Sequence, residues 1–199
     1  MSRPEIFVSI DIETDGPCPG LNSMIALGAV AYDGQENQLG TWYSALAPLP
    51  DCSPDPDTMA WWDTQPEAKA EGFGSRLRAR DMIPDFGYWC EALRGKPIAV
   101  AWPAAFDFAF VNYYLHRFAG RNPLGFAACD IRSYANGLAG YPSYYGLSEQ
   151  QVRELAGEID TAGLRPHHAL DDAIGQGRLF LALRRHAMSW GLARKAGLA

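Results

Sequence analysis

The sequence predicts an α/β fold, with an antiparallel meander of three strands, further parallel strands in the same mixed sheet, and flanking helices. Three strand-like segments near the N-terminus are joined by short connections, which favours antiparallel pairing. The later strand-like segments alternate with helix-length segments, which favours parallel pairing. No repeat or low-complexity segment interrupts the chain. We therefore expect a single domain over residues 1–199, with its core at about residues 5–188.

The first strand is predicted at residues 6–12, an apolar and β-branched run that is typical of a buried strand. Successive side chains on a strand point to opposite faces, so Asp11 and Glu13 share one face. Two neighbouring carboxylates repel each other, and a hard cation such as Mg²⁺ or Mn²⁺ would remove that repulsion. The alternative is a solvated strand end that runs into a turn at residues 14–16.

The remaining elements follow from apolar periodicity and from the positions of glycine and proline. Strands are predicted at 24–32, 39–46, 97–102 and 126–130, and helices at 56–70, 82–94, 106–118, 131–138, 148–156 and 168–188. Asp107 lies near the first turn of the helix that follows the strand at 97–102. It is either a functional carboxylate or an acid that the helix dipole favours at that position. The aromatic residues that follow it at helical spacing are typical of a core face.

The last predicted helix begins beside a histidine and a carboxylate. Asp172 lies in its first turn, and His167 lies at or just before its start. An unperturbed histidine titrates near pH ~6.5, so it can accept a proton from water at neutral pH. The neighbours have simpler interpretations: His168 points to solvent or caps the turn, and Asp171 is a helix-dipole acid.

Four carboxylates and one histidine thus come from three separated segments. Several acidic ligands can hold two divalent cations, and a histidine can move a proton, which is what a two-metal phosphodiester hydrolase requires. The segments also resemble the three motifs of the DEDDh 3′–5′ exonucleases, the DnaQ-like branch of the ribonuclease H-like fold. The matching stretches are residues 11–16, residues 104–107, and His167 with Ala169 and Asp172. The resemblance covers about residues 5–185.

This resemblance implies that two metal ions, Mg²⁺ or Mn²⁺, are held by the four carboxylates, Asp11, Glu13, Asp107 and Asp172. It implies that His167 is the general base, since a tyrosine form would place tyrosine where His168 stands. Two positions depart from the family pattern. Pro103 replaces a common asparagine and is expected to alter the backbone beside Asp107, and Asp15 is expected to add negative charge near the substrate.

Candidate substrate contacts lie in the motifs and in a tryptophan pair. Thr14 and Phe106 belong to the first and second motifs. Trp61 and Trp62 lie in a Trp-Trp-x-x-Gln segment similar to one in phage-type and mycobacterial exoribonuclease-like branches of the superfamily. Their rings either stack on unpaired bases or pack under a helix, since tryptophan is highly buried on average.

The composition, 48% hydrophobic and 12% aromatic, supplies one good core for a chain of 199 residues. No apolar run approaches 18 residues and no basic-then-apolar leader opens the chain, so we expect neither a membrane span nor a signal peptide. The four cysteines show neither metal-type spacing nor a disulfide pattern, which favours reduced thiols in a cytoplasmic protein.

A net charge of −6 is compatible with an enzyme that binds a few terminal nucleotides, and it argues against a protein that binds along long duplex DNA. We therefore expect a metal-dependent 3′–5′ exonuclease that acts on single-stranded DNA or RNA, with a homodimer suggested by related ribonucleases. Two alternatives stay open: oligoribonuclease-like clearance of short RNA, and a non-catalytic module that keeps the fold to bind a partner or a nucleic-acid end.

Overall fold

The computed structural model describes residues 3–75 and 77–195, and side-chain burial as far as residue 190. These residues form one five-stranded sheet with the order β3-β2-β1-β4-β5. The strands are Glu5–Thr14 (β1), Met24–Tyr32 (β2), Gln38–Ala45 (β3), Lys96–Ala101 (β4) and Ala128–Asp130 (β5). β1, β2 and β3 form an antiparallel meander, whereas β4 pairs in parallel with both β1 and β5. The predicted mixed sheet is confirmed.

The helices flank both faces of this sheet. They are Pro56–Trp62 (α1), Pro66–Phe73 (α2), Ala79–Ala92 (α3), Ala104–Tyr114 (α4), Ile131–Leu138 (α5), Glu149–Ala156 (α6) and Ala169–Lys195 (α7). A π-helical turn at Leu115–Ala119 extends α4. None of the described helices is long and apolar enough to cross a membrane.

The single helix predicted at residues 56–70 is wrong, because the structure divides this stretch into α1 and α2. Proline has no N–H to continue an α-helix and disfavours the helical conformation in the residue before it. Pro66 accordingly begins α2, and Gln65 before it has left the helical region, with a ψ of 60°. The strand predicted at 126–130 is shorter than expected and begins only at Ala128.

Two apolar cores lie on opposite faces of the sheet. On one face, alternate residues of β1 such as Ile10 pack against α3 and α4, where Phe110 and Tyr114 are fully buried. The aromatic residues at helical spacing are thus core residues, as expected. On the other face, Phe7 of β1 contacts Phe180 of α7, with ring centroids 5.2 Å apart. Since Asp11 and Glu13 are in register with Phe7, the alternation of β1 directs them toward the α7 face.

A glycine lets α7 approach the sheet closely. Gly28 of β2 lies opposite Asp11 of β1. A Cβ at Gly28 would overlap the backbone at Ala169 and Leu170, the first residues of α7. The N-terminus of α7 therefore rests directly on the strand pair that carries Asp11, and this contact sets the position of the carboxylate one turn further on.

Candidate active site

Asp11 and Glu13 lie near the C-terminal end of β1. The pairing of β1 with β2 is regular up to Glu13 and shifts register between Glu13 and Thr14. Glu13 is largely buried and Asp11 is partly buried, so neither carboxylate is on a freely solvated strand end. This geometry argues against the alternative of a solvated turn.

Asp107 lies in the first turn of α4, as predicted, but it is only 3% exposed. Its Oδ2 is buried and has no hydrogen-bond partner among the described residues. A helix dipole favours an acid in the first turn, but it does not explain why one carboxylate oxygen is withdrawn from water without a partner. An unpaired buried carboxylate oxygen of this kind fits the role of a cation ligand.

Pro103 stands at the start of α4. Pro103 is the N-cap residue, and its side chain makes no capping hydrogen bond. Instead the N–H of Ala104 donates to Oδ2 of Asp130 at 3.0 Å. Asp130 therefore satisfies one of the open N–H groups of α4, so the helix end is capped from β5 rather than from its own N-cap residue.

The third segment brings its histidine to the carboxylates. His167 lies two residues before α7 with a φ of 58°, a left-handed conformation that few residues other than glycine adopt. Asp172 lies in the first turn, where its N–H donates to the carbonyl of His168 at 2.9 Å. One ligand atom from each of Glu13, His167 and Asp172 lies within 4.8 Å of the other two. Glu13 and His167, which are 154 positions apart in the chain, thus lie close together.

His168 is a structural residue, and the interpretation in which it points to solvent is wrong. It is 7% exposed and its ring stacks on Tyr43, with centroids 4.6 Å apart. Its Nδ1 accepts the N–H of Asp171 at 3.3 Å, so it caps the turn, and its Nε2 lies 3.3 Å from Glu71. Asp171 is in turn paired with Arg165 at 2.8 Å. His168 therefore anchors the turn that presents His167.

Burial raises the pKa values of all four carboxyl groups, and repulsion from a neighbouring carboxylate adds to it: Asp130 for Asp107, Asp171 for Asp172, and other members of the four for Asp11 and Glu13. Burial is the largest cause in each, and for Asp11 the charges of Asp107, Glu13 and Asp172 add to it. The pKa of Glu13 rises to about 8 and that of Asp107 to about 7. The pKa of Asp11 lies well above its ordinary range, and that of Asp172 is also raised. The cluster thus resists full ionisation at neutral pH unless a positive charge enters it.

The side chains fit divalent cations. Carboxylate oxygens are the ligands that Mg²⁺ and Mn²⁺ favour, and the four carboxylates lie near enough for the charges of Asp107, Glu13 and Asp172 to act on Asp11. The partnerless oxygen of Asp107 is an observation independent of that convergence. Asp11, Glu13, Asp107 and Asp172 could therefore hold the ions, and His167 is close enough to act beside them.

The predicted substrate contacts divide into buried and accessible residues. Trp62 is 1% exposed and its indole N–H donates to the carbonyl of Thr14 at 2.9 Å, so its ring belongs to the packing under α1. Thr14 is itself buried, and Phe106 packs on Phe110 with centroids 5.4 Å apart. Trp61, by contrast, is 42% exposed and meets His167 edge to face at 4.9 Å. Of the tryptophan pair, only Trp61 offers an accessible ring face beside the site.

Asp15 does not add charge to the substrate path, contrary to expectation. It is fully buried, and its carboxylate accepts the backbone N–H of Ser23. Burial raises its pKa. A second backbone hydrogen bond joins its carbonyl to Asp55 at 2.7 Å. The residue closes the loop between β1 and β2.

One residue of the site was not predicted from the sequence. Gln176 of α7 donates from Nε2 to Oδ1 of Asp11 at 2.6 Å. Its Oε1 is buried and has no partner in the described parts of the chain. The available signal was its spacing, since residues four apart on a helix share a face and Gln176 is four residues after Asp172. It holds Asp11 without adding a fifth negative charge.

A cleft of about 600 Å³ opens beside the carboxylates. Its lining includes Asp11, Asp172 and Gln176, together with Arg153 of α6 and Arg165. Its volume is in the range of small-molecule sites, so it can receive a nucleotide.

A mixed sheet with four carboxylates and a histidine where β1, α4 and α7 meet is the arrangement that the resemblance of the three motifs predicts. The chain belongs to the family described as the 3′-5′ exoribonuclease Rv2179c-like domain, whose model matches residues 6–183. The resemblance drawn from the three motifs is therefore confirmed.

Named relatives agree with this family. The chain is 30% identical over 184 residues to the 3′-5′ DNA exonuclease Cap18 of Escherichia coli, which covers 88% of this chain and 90% of that protein. Its fold is similar to the nuclease domain of 3′hExo, a DEDDh family member solved with rAMP, with a TM-score of 0.65, 15% identity and 91% of each chain covered.

A second solved structure with the same fold is Exonuclease I of E. coli in complex with a dT13 oligonucleotide. The TM-score is 0.62 at 14% identity over 90% of this chain. The match covers 40% of the Exonuclease I chain, so this chain corresponds to a part of that longer enzyme.

Proposed function

We propose that this protein hydrolyses phosphodiester bonds from the 3′ end of single-stranded nucleic acid and releases nucleoside 5′-monophosphates, using two Mg²⁺ or Mn²⁺ ions. The observation that carries the proposal is the convergence of Glu13, His167 and Asp172 within 4.8 Å, beside the partnerless oxygen of Asp107. Membership of an exonuclease family supports it.

The protein side chains have separate tasks in this reaction. The four carboxylates hold the ions, and Gln176 fixes the orientation of Asp11. Two such ions, when bound, stabilise the charge that develops on the phosphate and on the leaving 3′ oxygen. His167 accepts a proton from the attacking water as the water oxygen bonds to phosphorus. The bond between phosphorus and the 3′ oxygen of the preceding nucleotide then breaks, and solvent returns a proton to that oxygen.

His168 and Trp61 support His167 in this scheme. The packing of His168 on Tyr43 fixes the turn, and the ring of Trp61 limits the orientation of the imidazole. Trp61 also has the exposure that stacking on a terminal base requires. Thr14 contributes its carbonyl to the placement of Trp62, and through it to that of Trp61.

The direct test is digestion of matched 5′-labelled single-stranded RNA and DNA, of short and long length, with Mg²⁺ and with Mn²⁺. We expect a ladder that grows from the 3′ end, with mononucleotide as the product. The same assay compares ribose with deoxyribose and measures whether short RNA is preferred, as the oligoribonuclease-like alternative requires.

The matched control is Asp11→Asn, which keeps the size and polarity of the side chain but removes a charge. We expect Mg²⁺ or Mn²⁺ to raise the melting temperature of the wild-type protein, since ligands that bind only the folded state stabilise it, and Asp11→Asn should abolish both this rise and digestion. Binding of oligonucleotides without any release of mononucleotide would instead favour the non-catalytic module.

A further inference from the structure

An exposed pair of tyrosines lies on the loop between α5 and α6. Tyr145 is 80% exposed and Tyr144 is also exposed, and their rings meet edge to face at 5.2 Å. The guanidinium of Arg132 lies over both rings, 5.3 Å from one centroid and 5.6 Å from the other. We call Arg132, Tyr144 and Tyr145 the tyrosine platform. No element of the proposed reaction uses it.

The loop that carries the platform is held in place by a buried amide. Asn136 of α5 is almost fully buried and uses both ends of its side chain. It donates to the carbonyl of Tyr144 at 2.7 Å and accepts the N–H of Leu147 at 2.9 Å. Arg132 donates to the carbonyl of Leu147 at 2.6 Å. Two large aromatic side chains are thus held at the surface by a well-bonded backbone.

The platform stands next to the cleft. Glu149, which lines the cleft at the start of α6, is four positions after Tyr145, and four steps along the chain span at most about 14 Å. Asp130 connects the two regions on the other side. It accepts the N–H of Ala104 at 3.0 Å, next to Pro103 of the cleft lining, and it is the N-cap of α5, two residues before Arg132. A strand of nucleic acid that leaves the cleft therefore has the platform within a few nucleotides.

We propose that the tyrosine platform binds the single-stranded substrate a few nucleotides to the 5′ side of the bond that is cut. This inference rests on the proposed function. In an exonuclease the 3′ terminal nucleotide occupies the catalytic cleft, so any strand outside the cleft is the 5′ part of the substrate. Aromatic faces stack on bases of any identity, and a guanidinium among them attracts the phosphates.

The chemistry of the platform favours nucleic acid over an apolar protein partner. Its three side chains combine ring faces with a positive charge in a protein whose net charge is −6. A local cation in an acidic protein directs a polyanion to that place. The platform also explains how an acidic enzyme can retain a strand without a long basic stripe.

The test compares Tyr145→Ala with the wild-type protein on single strands of 3 and 12 nucleotides. Tyr145 is chosen because Arg132 also holds the loop, whereas Tyr145 is mostly in solvent. For the 12-nucleotide strand we expect KM to rise about five-fold or more, the loss that follows from removing one stacked ring. We expect kcat, the melting temperature and KM for the 3-nucleotide strand to stay unchanged.

Two matched variants control the test. Tyr145→Phe keeps the ring and should behave as the wild type. Tyr88→Ala removes another exposed tyrosine that also lies beneath a guanidinium, that of Arg121 at 5.8 Å, but that does not line the cleft. A similar rise of KM in Tyr88→Ala, an equal rise for both strand lengths, or no rise in Tyr145→Ala would overturn the platform.

Direct binding separates this proposal from the proposed function. Polarisation of a fluorescein-labelled 12-nucleotide strand, with EDTA present to prevent hydrolysis, should show weaker binding for Tyr145→Ala. If the wild type digests no strand but Tyr145→Ala still loses binding, the platform stands and the exonuclease assignment fails. If digestion proceeds and binding is equal in both proteins, the platform is rejected, and a protein partner becomes the remaining explanation of its exposure.

Discussion

His167 and His168 are adjacent in the chain but have different surroundings. His167 is partly exposed beside Glu13 and Asp172, whereas His168 is buried on Tyr43. If His167 moves the proton, His167→Ala should lower kcat by roughly 10²–10⁴-fold, the usual effect of losing a general base. His168→Ala should chiefly lower the melting temperature, because it removes a buried ring and a cap.

The metal-induced rise in melting temperature distinguishes a base from a ligand. In His167→Ala we expect this rise to persist while turnover is lost. In Asp172→Asn both should be lost. A His167→Ala protein that no longer responds to Mg²⁺ or Mn²⁺ would place the imidazole among the ligands, which its distance from Glu13 and Asp172 allows.

Gln176 should tune the affinity for the ions. It donates at 2.6 Å to Asp11, and groups that orient a metal ligand typically change metal affinity or activity 10–100-fold when removed. Gln176→Ala should therefore shift the midpoint of a Mg²⁺ or Mn²⁺ titration, followed by melting temperature, to higher concentration. Gln176→Glu should also destabilise the metal-free protein at neutral pH, because it adds a fifth carboxylate. Unchanged midpoints in both variants would leave Gln176 without a role in orienting Asp11.

The raised pKa values predict how stability depends on pH without metal. Between pH 5 and pH 8 the folded protein retains protons on Glu13 and Asp107 that the unfolded chain has released, because their pKa values are about 8 and about 7. The unfolded state then binds fewer protons, so the free energy of unfolding falls as pH rises. With EDTA, we expect the melting temperature to decrease from pH 5 to pH 8. Saturating Mg²⁺ should reduce or reverse that decrease, and a metal-free curve that rises over this range would contradict the shifts.

At the scale of elements, the site depends on how closely α7 rests on β2. A Cβ at Gly28 would overlap the backbone at Ala169, so Gly28→Ala must displace the start of α7. Overpacking of this kind costs typically about 1–3 kcal/mol, and a misplacement of about 1 Å can cost 10²-fold in rate. We expect Gly28→Ala to lower the melting temperature and to have its larger effect on kcat. Gly34→Ala, whose Cβ would meet nothing within 4 Å, is the matched control in the same assays.

The elements that the sequence predicts well are those with a single dominant signal. The apolar run of β1 and the periodicity of α7 define both elements and, with them, the side of the sheet on which Asp11 and Asp172 meet. Pro66 signalled that residues 56–70 divide into two helices, but the apolar pattern around it outweighed that signal in the prediction. The π-helical turn after α4 packs against α3, and no local signal in the sequence predicted it.

The site was predictable only where chemistry requires particular residue types. Carboxylates and a histidine are recognisable from their spacing, whereas Gln176 and His168 act through contacts that only the fold creates. Asp15 shows the reverse case, since it is a charged residue within the first motif and yet its carboxylate only closes a loop. Trp61 and Trp62 are identical in type and adjacent, and only the direction of α1 decides which ring is buried.

At the scale of the whole molecule, a homodimer remains a prediction from the resemblance to related ribonucleases. Light scattering after size exclusion at several protein concentrations measures it directly. A dimer should have about twice the mass of the 199-residue chain and should not depend on the presence of nucleic acid. If the measured mass equals that of one chain at every concentration, the homodimer prediction is wrong. The assignment of the active site does not depend on this result.

The distribution of charge predicts a preference for single strands. A paired 3′ end must be unstacked before its last phosphodiester reaches the buried carboxylates, which costs a few kcal/mol. A protein with a net charge of −6 gains little from phosphate contacts to offset that cost, and the affinity it does gain falls with salt. Trp61, exposed beside His167, can stack on an end that is already unpaired.

We therefore expect single-stranded 3′ ends and short 3′ overhangs to be digested faster than blunt duplex, when all three substrates are compared at one salt concentration. Trp61→Ala should reduce the rate on single strands, whereas Trp62→Ala should lower the melting temperature, because its ring is buried and bonded to Thr14. Blunt duplex that is digested faster than single strands would contradict the preference. Equal single-strand affinity in Trp61→Ala and the wild type would show that the exposed ring contributes only to the placement of His167.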